Sequence, residues 1–391
     1  VSTLGEPSAT RFRPSLASAA VVIAGLTVGA VGLYFTASIV APAFFAFTLF
    51  VSARPLQRLL ERAGAPRIVA AVLVLLGLYV VLTALVIATI ASLTQAALEL
   101  PRYTRDLQMI YLDTLNWLEQ FGVDDAALAQ YASSIDLNRV ADLLGAVVQG
   151  TTSAGGQALV ILVVMFFLAI DSTSVRSRWQ LLTASRPELA TSLRAFFAGV
   201  RKYWVVCTVF GLIVAALDVI ALWIIGVPLA LVWGVLAFVT NYIPNVGFVI
   251  GLIPPALIAL LEGGVTDMVA VIVTYSVLNF TIQTIIQPKV VGDAVGLSPA
   301  VSFLSLTFWT VVVGPLGAIL AVPLTLAAKA GLVDAHPEAR WINAFLVTDT
   351  QAKRALNQND TTASAATGAS RTAKATKANP EQPEAEETNS A

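Results

Sequence analysis

Asn241-Tyr-Ile-Pro-Asn-Val-Gly-Phe-Val-Ile-Gly251 interrupts an uncharged run that extends from Val219 to Leu261. A proline and two asparagines are out of place in the middle of a lipid-spanning helix. A backbone broken there leaves N–H and C=O groups that lipid cannot satisfy. Such a break is tolerated only where protein or a water-filled cavity covers it. The stretch therefore predicts a broken helix that lines a solute path, provided the rest of the chain builds a membrane domain.

Composition supplies that domain. The 391 residues are 57% hydrophobic and only 12% charged, against about 25% charged in a soluble domain. The net charge of −1 leaves no basic field for phosphates and argues against a nucleic-acid partner. One cysteine (Cys207) and one histidine (His336) exclude a disulfide framework and a Cys/His metal site within one chain. No Gly-x-x-x-x-Gly-Lys-[Ser/Thr] loop is present, so no ATP, metal or other cofactor is expected. An embedded enzyme would need a nucleophile–base pair or a metal cluster in the spans, and neither is visible. The chain reads as a non-enzyme.

Residues 1–15 read as a cytoplasmic N-terminus, and the apolar segment after Arg11 and Arg13 as a retained span rather than a cleaved signal. From Pro14 to Ala53 no residue is charged. That length predicts two crossings with a turn near Ala37–Ser38, and a third span completes the unit 16–91. Between them, Ser52-Ala-Arg-Pro55 predicts the start of a cytoplasmic amphipathic helix, 52–67, ended by Gly64. Its four arginines (54, 58, 62 and 67) against Glu61 place it inside. Residues 92–156 hold eight acids and three arginines and read as an outer helical subdomain. A fourth span follows at 157–170. The region 171–204, with six basic residues and two acids, predicts a surface helix begun by the capping box Ser185-Arg-Pro-Glu188. The transport core is 205–330, and the polar tail 331–391 reads as cytoplasmic and largely disordered.

Span parity constrains the core. The tail reaches the basic side if 229–261 and 300–329 are re-entrant hairpins entering from opposite faces. Each carries a similar interruption, Pro244-Asn-Val-Gly247 then Pro254, and Pro315-Leu-Gly317 then Pro323. Broken helices in corresponding places of two oppositely entering units are expected around a transporter site. The fold class is thus an all-α polytopic membrane protein. It has seven to eight transmembrane helices, two re-entrant helical hairpins, a small outer subdomain and a disordered tail.

Leu231-Val-Trp-Gly-Val-Leu-Ala-Phe-Val-Thr-Asn-Tyr-Ile-Pro-Asn-Val-Gly247, Ile253-Pro-Pro255, Gln287-Pro-Lys-Val-Val-Gly-Asp293, Gly296-Leu-Ser-Pro299, Leu306-Thr-Phe-Trp309, Gly314-Pro-Leu-Gly317 and Ala321-Val-Pro-Leu324 together resemble the autoinducer-2 exporter (AI-2E) family. The similarity is greatest to its quorum-sensing signal transporter branch. The resemblance covers most of residues 15–330. It implies a homo-oligomeric permease of the bacterial inner membrane, usually described with eight spans, that moves a small polar solute such as autoinducer-2. Some relatives resemble sodium(lithium)/proton antiporters, so the resemblance leaves the cargo open.

The candidate solute-binding residues are Asn241, Tyr242, Pro244, Asn245 and Gly247 at the first break, and Gly314, Pro315 and Gly317 at the second. Asn279 and Gln283, four apart on one helix face, join them. Against this stand plainer readings: a surface turn for the first break, an interfacial aromatic for Tyr242, and interhelical glue for Asn279 and Gln283. Asp218 is the one acid deep in a span and the candidate for Na⁺ or H⁺ coupling, or else a structural carboxylate. Lys289 and Asp293 read as an interfacial pair. The expected mechanism is alternating access with the two tips meeting near the midplane. The alternative is a sodium(lithium)/proton antiporter that uses the intramembrane carboxylate. A scaffold without transport would tolerate alanine at Asn241 and Asn245.

Overall fold

The computed structural model describes residues 16–99, 156–171, 175–244, 246–287, 289, 296–346 and 348. The expected N-terminal segment 1–15, nearly all of the acidic subdomain and the polar tail beyond 348 lie outside the described residues. So do Asn245 and Asp293.

The described chain is all-helical. Helix α1 is Leu16–Arg62, α2 is Arg67–Glu99, α3 is Gly156–Asp171, α4 is Val175–Ser185 and α5 is Pro187–Ile225. Helices α6 (Ala230–Thr240) and α7 (Gly247–Asn279) form the first hairpin, and α8 (Pro299–Val313) and α9 (Pro315–Ala328) the second. Five helical stretches are long and apolar enough to cross a membrane: Ala20–Arg62, Arg67–Ser92, Pro187–Ile225, Gly247–Ile286 and Pro315–Asp334. Three further apolar helices are shorter, Gly156–Asp171, Ala230–Thr240 and Pro299–Val313.

Three expectations are corrected by helix continuity. The two crossings and separate surface helix predicted over 16–67 are one helix of 47 residues, about 70 Å long. Ala37 and Ser38 offer no glycine, proline or asparagine to turn the chain, and Pro42 costs one backbone bond without ending the helix. Ser52 does not cap a new helix. Its hydroxyl donates back to the Thr48 carbonyl at 2.8 Å, the bond of a serine inside a continuing helix. The stop at Gly64 is where the pattern placed it. Gly64 has φ 98°, and Ala65 N–H donates to Leu60 O at 3.0 Å, closing the helix as a left-handed cap does.

The surface helix predicted within 171–204 and the start of the transport core at 205 are likewise one helix, α5. Ser185 is no cap, because its hydroxyl donates to Leu181 O at 2.9 Å within α4. Arg186 instead holds the N-cap position with extended φ −142°, and Pro187 opens α5, where a missing N–H costs nothing. Phe196, Val200 and Tyr203 of the predicted surface helix are buried in the interior.

Helix α5 is the spine of the molecule. Its first half packs Phe196, Val200, Tyr203 and Trp204 against Leu320, Val322 and Leu326 of the second hairpin. Its second half packs Val219 and Leu222 against Trp233, Ile258, Val271 and Tyr275 of the first. Helix α2 runs along α6, and α1 along α8 and α9. The Tyr79 hydroxyl ties α2 to the Leu162 carbonyl of α3.

Both hairpins form at the residues where proline, glycine and asparagine predicted them. The first closes through Asn241–Val246, and Gly264 (φ 77°, ψ −166°) breaks α7 at its far end. The second turns on Gly314, φ 81° and ψ −161°, a conformation essentially reserved for glycine. In each, one glycine lets the arms close. A Cβ on Gly247 would lie 1.8 Å from the Thr240 carbonyl oxygen, and one on Gly317 2.0 Å from that of Trp309.

Candidate functional site

The first tip is broken but not unsatisfied. Asn241 N–H donates to Ala237 O at 3.0 Å, Ile243 N–H to Thr240 O at 2.8 Å and Gly247 N–H to Ile243 O at 3.0 Å. The Tyr242 carbonyl accepts the Tyr203 hydroxyl at 2.8 Å. With much of the backbone engaged in the turn, the chemistry of this tip falls to side chains.

Those side chains form one chain of amides across three helices. Asn241 Nδ2 donates to the Cys207 carbonyl of α5 at 3.1 Å. Gln283 Nε2 donates to Asn241 Oδ1 at 3.0 Å and to Asn279 Oδ1 at 2.8 Å. Asn279 Nδ2 donates to Tyr275 O at 2.9 Å. Gln283 sits in a π-helical turn, Phe280–Ile286, that extends α7, a geometry frequent at functional sites. Polar side chains in a membrane interior are held this way, each donor answering an acceptor.

Beside this chain lies a cavity of about 290 Å³. The first hairpin and the helix after it contribute Asn241, Tyr242, Pro244, Gln283 and Gln287. Helix α5 contributes Tyr203 and Cys207, and the region of the second hairpin Leu297, Ser302 and Val322. Among the described residues, no Asp, Glu, Lys, Arg or His lines it. Tyr242 is held inside the protein, its hydroxyl 2.8 Å from Thr208 Oγ1 and its ring against Trp204 and Phe238.

Of the sequence candidates, Asn241, Tyr242, Pro244 and Gln283 line the cavity, and Asn279 is bound to Gln283 behind it. Gly247 stands at the arm-to-arm contact. Gly314, Pro315 and Gly317 do not line the cavity. The first tip packs Ile243 and Val246 against Leu306, Ala318 and Ala321, on the flank of the second hairpin. The second tip carries Val312 and Val313 onto Ala41 and Leu33 of α1. The first tip thus packs on α9 at Ala318, the residue that follows Gly317. Tyr203 and Thr208 were missed by sequence reasoning. Their only signal was two hydroxyls five residues apart in an apolar helix.

Asp218 is 1% exposed, and neither carboxylate oxygen has a hydrogen-bond partner among the described residues. It lines a second cavity of about 10 Å³ with Thr240, Asn241, Tyr275 and Asn279, room for one water-sized occupant. The Tyr275 hydroxyl is also buried and without a partner. Asn241 and Asn279 thus belong to both cavities. Lys289 is exposed on the surface. No group of three or more His, Cys, Asp or Glu that could hold a metal occurs among the described residues.

Apolar helices of membrane length, broken helices packed on a common spine and a polar cavity between them define a polytopic membrane transport protein. The description "AI-2E family transporter" matches residues 23–335, and the chain belongs to that family. It is 31% identical over 302 residues to the AI-2 transport protein TqsA of Escherichia coli (strain K12), covering 77% of this chain and 87% of that protein. It is 28% identical over 308 residues to YhhT of the same strain, provisionally named a transport protein, covering 78% and 88%. A transport protein so named in Haemophilus influenzae matches at 26% over 327 residues, covering 82% and 93%.

Proposed function

We propose that the protein carries a small, polar, uncharged solute of the autoinducer-2 kind across the bacterial inner membrane by alternating access. The carrying observation is the cavity of about 290 Å³ beside the Asn241–Gln283 amides, lined among the described residues by amides and hydroxyls without a charged side chain. Amide and hydroxyl groups suit a hydroxylated solute. The similarity to TqsA, whose name carries AI-2, supports the same class and a part in quorum sensing. In this reading Asn241 and Gln283 bind the solute, Tyr242 and Pro244 shape its cavity, and Asn279 orients Gln283. Asn245, next to Pro244 in sequence, joins them. Gly247, Gly314, Pro315 and Gly317 act through the hairpin backbones. Both termini lie in the cytoplasm, in keeping with the arginines of 54–67. Residues 20–39 of α1 are exposed on nearly every face, a surface suited to lipid and to a second copy in a homo-oligomer.

The test is transport of labelled autoinducer-2 by purified protein in liposomes, with and without a sodium or proton gradient. Wild type should move solute, and Asn241→Leu should move at least about tenfold less. Absence of both solute and cation movement would sink the reading.

The antiporter reading has its own observation, the unpartnered Asp218 in its water-sized cavity. An intramembrane carboxylate without a partner is costly and marks an ion path by default. Asp218→Asn decides between them. Loss of cation-for-proton exchange with solute movement intact assigns the carboxylate to ions, and unchanged behaviour in both assays leaves it structural.

A further inference from the structure

A much larger cavity, about 1070 Å³, lies apart from the transport site among α1, α3, α4, α5 and the start of α2. One face of α1 grades along it from Phe47, Phe50 and Val51 to Arg54, Gln57 and Arg58, across about 15 Å of helix. Helix α5 adds Arg194, Phe197 and Arg201 to the lining, and α2 adds Arg67. The α1 wall is therefore apolar at one end and cationic at the other, and α5 brings further guanidinium groups to it.

Five arginines line it against two acids, Glu61 and Asp171. Both acids are engaged locally. Glu61 accepts from Gln57 at 3.1 Å, and Asp171 pairs at 2.9 Å with Arg178, which is not a lining residue. Arg194 is placed over the Trp179 ring, 5.5 Å from its centroid. None of Arg54, Arg58 and Arg201 forms a salt bridge among the described residues, and Arg54 and Arg201 are half-buried. Half-buried guanidinium groups call for anions, and their planar fork fits phosphate.

We propose that this cavity binds the phosphate of an anionic phospholipid, with the arginines on the headgroup and the Phe47–Phe50–Phe197 end against the acyl chains. The shared chemistry is a phosphate anion. A free phosphate would occupy the cationic end and leave the apolar end empty, whereas an amphiphile fills both. Basic pockets between membrane helices at the positively flanked face bind such headgroups.

Native mass spectrometry of the full chain in detergent tests this, with phosphatidylglycerol, phosphatidylcholine and inorganic phosphate as probes. Phosphatidylglycerol should be retained over phosphatidylcholine, and Arg54→Gln/Arg201→Gln should weaken it roughly tenfold or more. Arg58→Gln, at an exposed side chain, should weaken it about fivefold without disturbing packing. Arg62→Gln, outside the cavity, should leave it unchanged. Displacement of the lipid by millimolar phosphate supports the anion site with a soluble source, and failure to displace supports the lipid. Equal retention of the two lipids overturns the proposal. So does unchanged phosphatidylglycerol binding by Arg58→Gln.

Discussion

The turn between Thr240 and Gly247 faces an amide chain, a tyrosine hydroxyl and a 290 Å³ cavity. The turn at Gly314 faces Leu33, Ala37 and Ala41 of α1. Yet the arms of both hairpins close through the same device, a glycine set against a carbonyl of the opposite arm. The comparison teaches that a break in an apolar helix is an architectural feature first. It becomes a candidate site only where neighbouring helices bring polar side chains to it. Asn279 and Gln283 do so for the first hairpin, from the end of α7 and the π-helical turn that extends it.

The comparison can be broken most directly at the glycines. Gly247→Ala and Gly317→Ala should each lose about 3 kcal/mol, read as thermal unfolding of purified protein in detergent. Tolerance of one and not the other would end the claim of a shared closure. Next in size, Asn241→Leu should cost about 2 kcal/mol, because the half-buried Gln283 amide and the Cys207 carbonyl lose their partner, and should abolish most solute transport. Its counterpart Thr325→Val removes the acceptor of Trp309 Nε1, 2.9 Å away in the second hairpin. It should cost about 1 kcal/mol with transport retained. Equal transport loss in both would erase the functional asymmetry.

Gly314→Ala should also cost about 2 kcal/mol, through backbone conformation alone, since nothing lies within 4 Å of the added methyl. Pro244→Ala should cost less than about 1 kcal/mol. Tyr203→Phe should likewise cost about 1 kcal/mol or below, since it removes one hydroxyl and no packing.

Much of this was legible in residue order. The hairpins followed from prolines, glycines and asparagines set in apolar runs, where local chemistry dictates the backbone. Asn279 and Gln283 were legible as an i, i+4 pair, but their junction with Asn241, 42 residues away from Gln283, depends on how α7 folds back across α5. The errors came from the opposite kind of inference. A turn at Ala37–Ser38 was deduced from length, with no residue there to make it. Ser52 and Ser185 looked like caps, although a serine hydroxyl serves a preceding carbonyl equally well. The Gly314–Gly317 break was visible, whereas its neighbours on α1 were not, because apolar contacts between distant helices leave no mark in spacing.

The Tyr203 hydroxyl lies 2.8 Å from the Tyr242 carbonyl and 3.3 Å from the Ile319 carbonyl. It has one proton and two claimants, one on each hairpin. Sliding one hairpin against the other by half an ångström would exchange the nearer acceptor for the farther without leaving the proton unused. Where most contacts in the core act as welds, this one is a bearing.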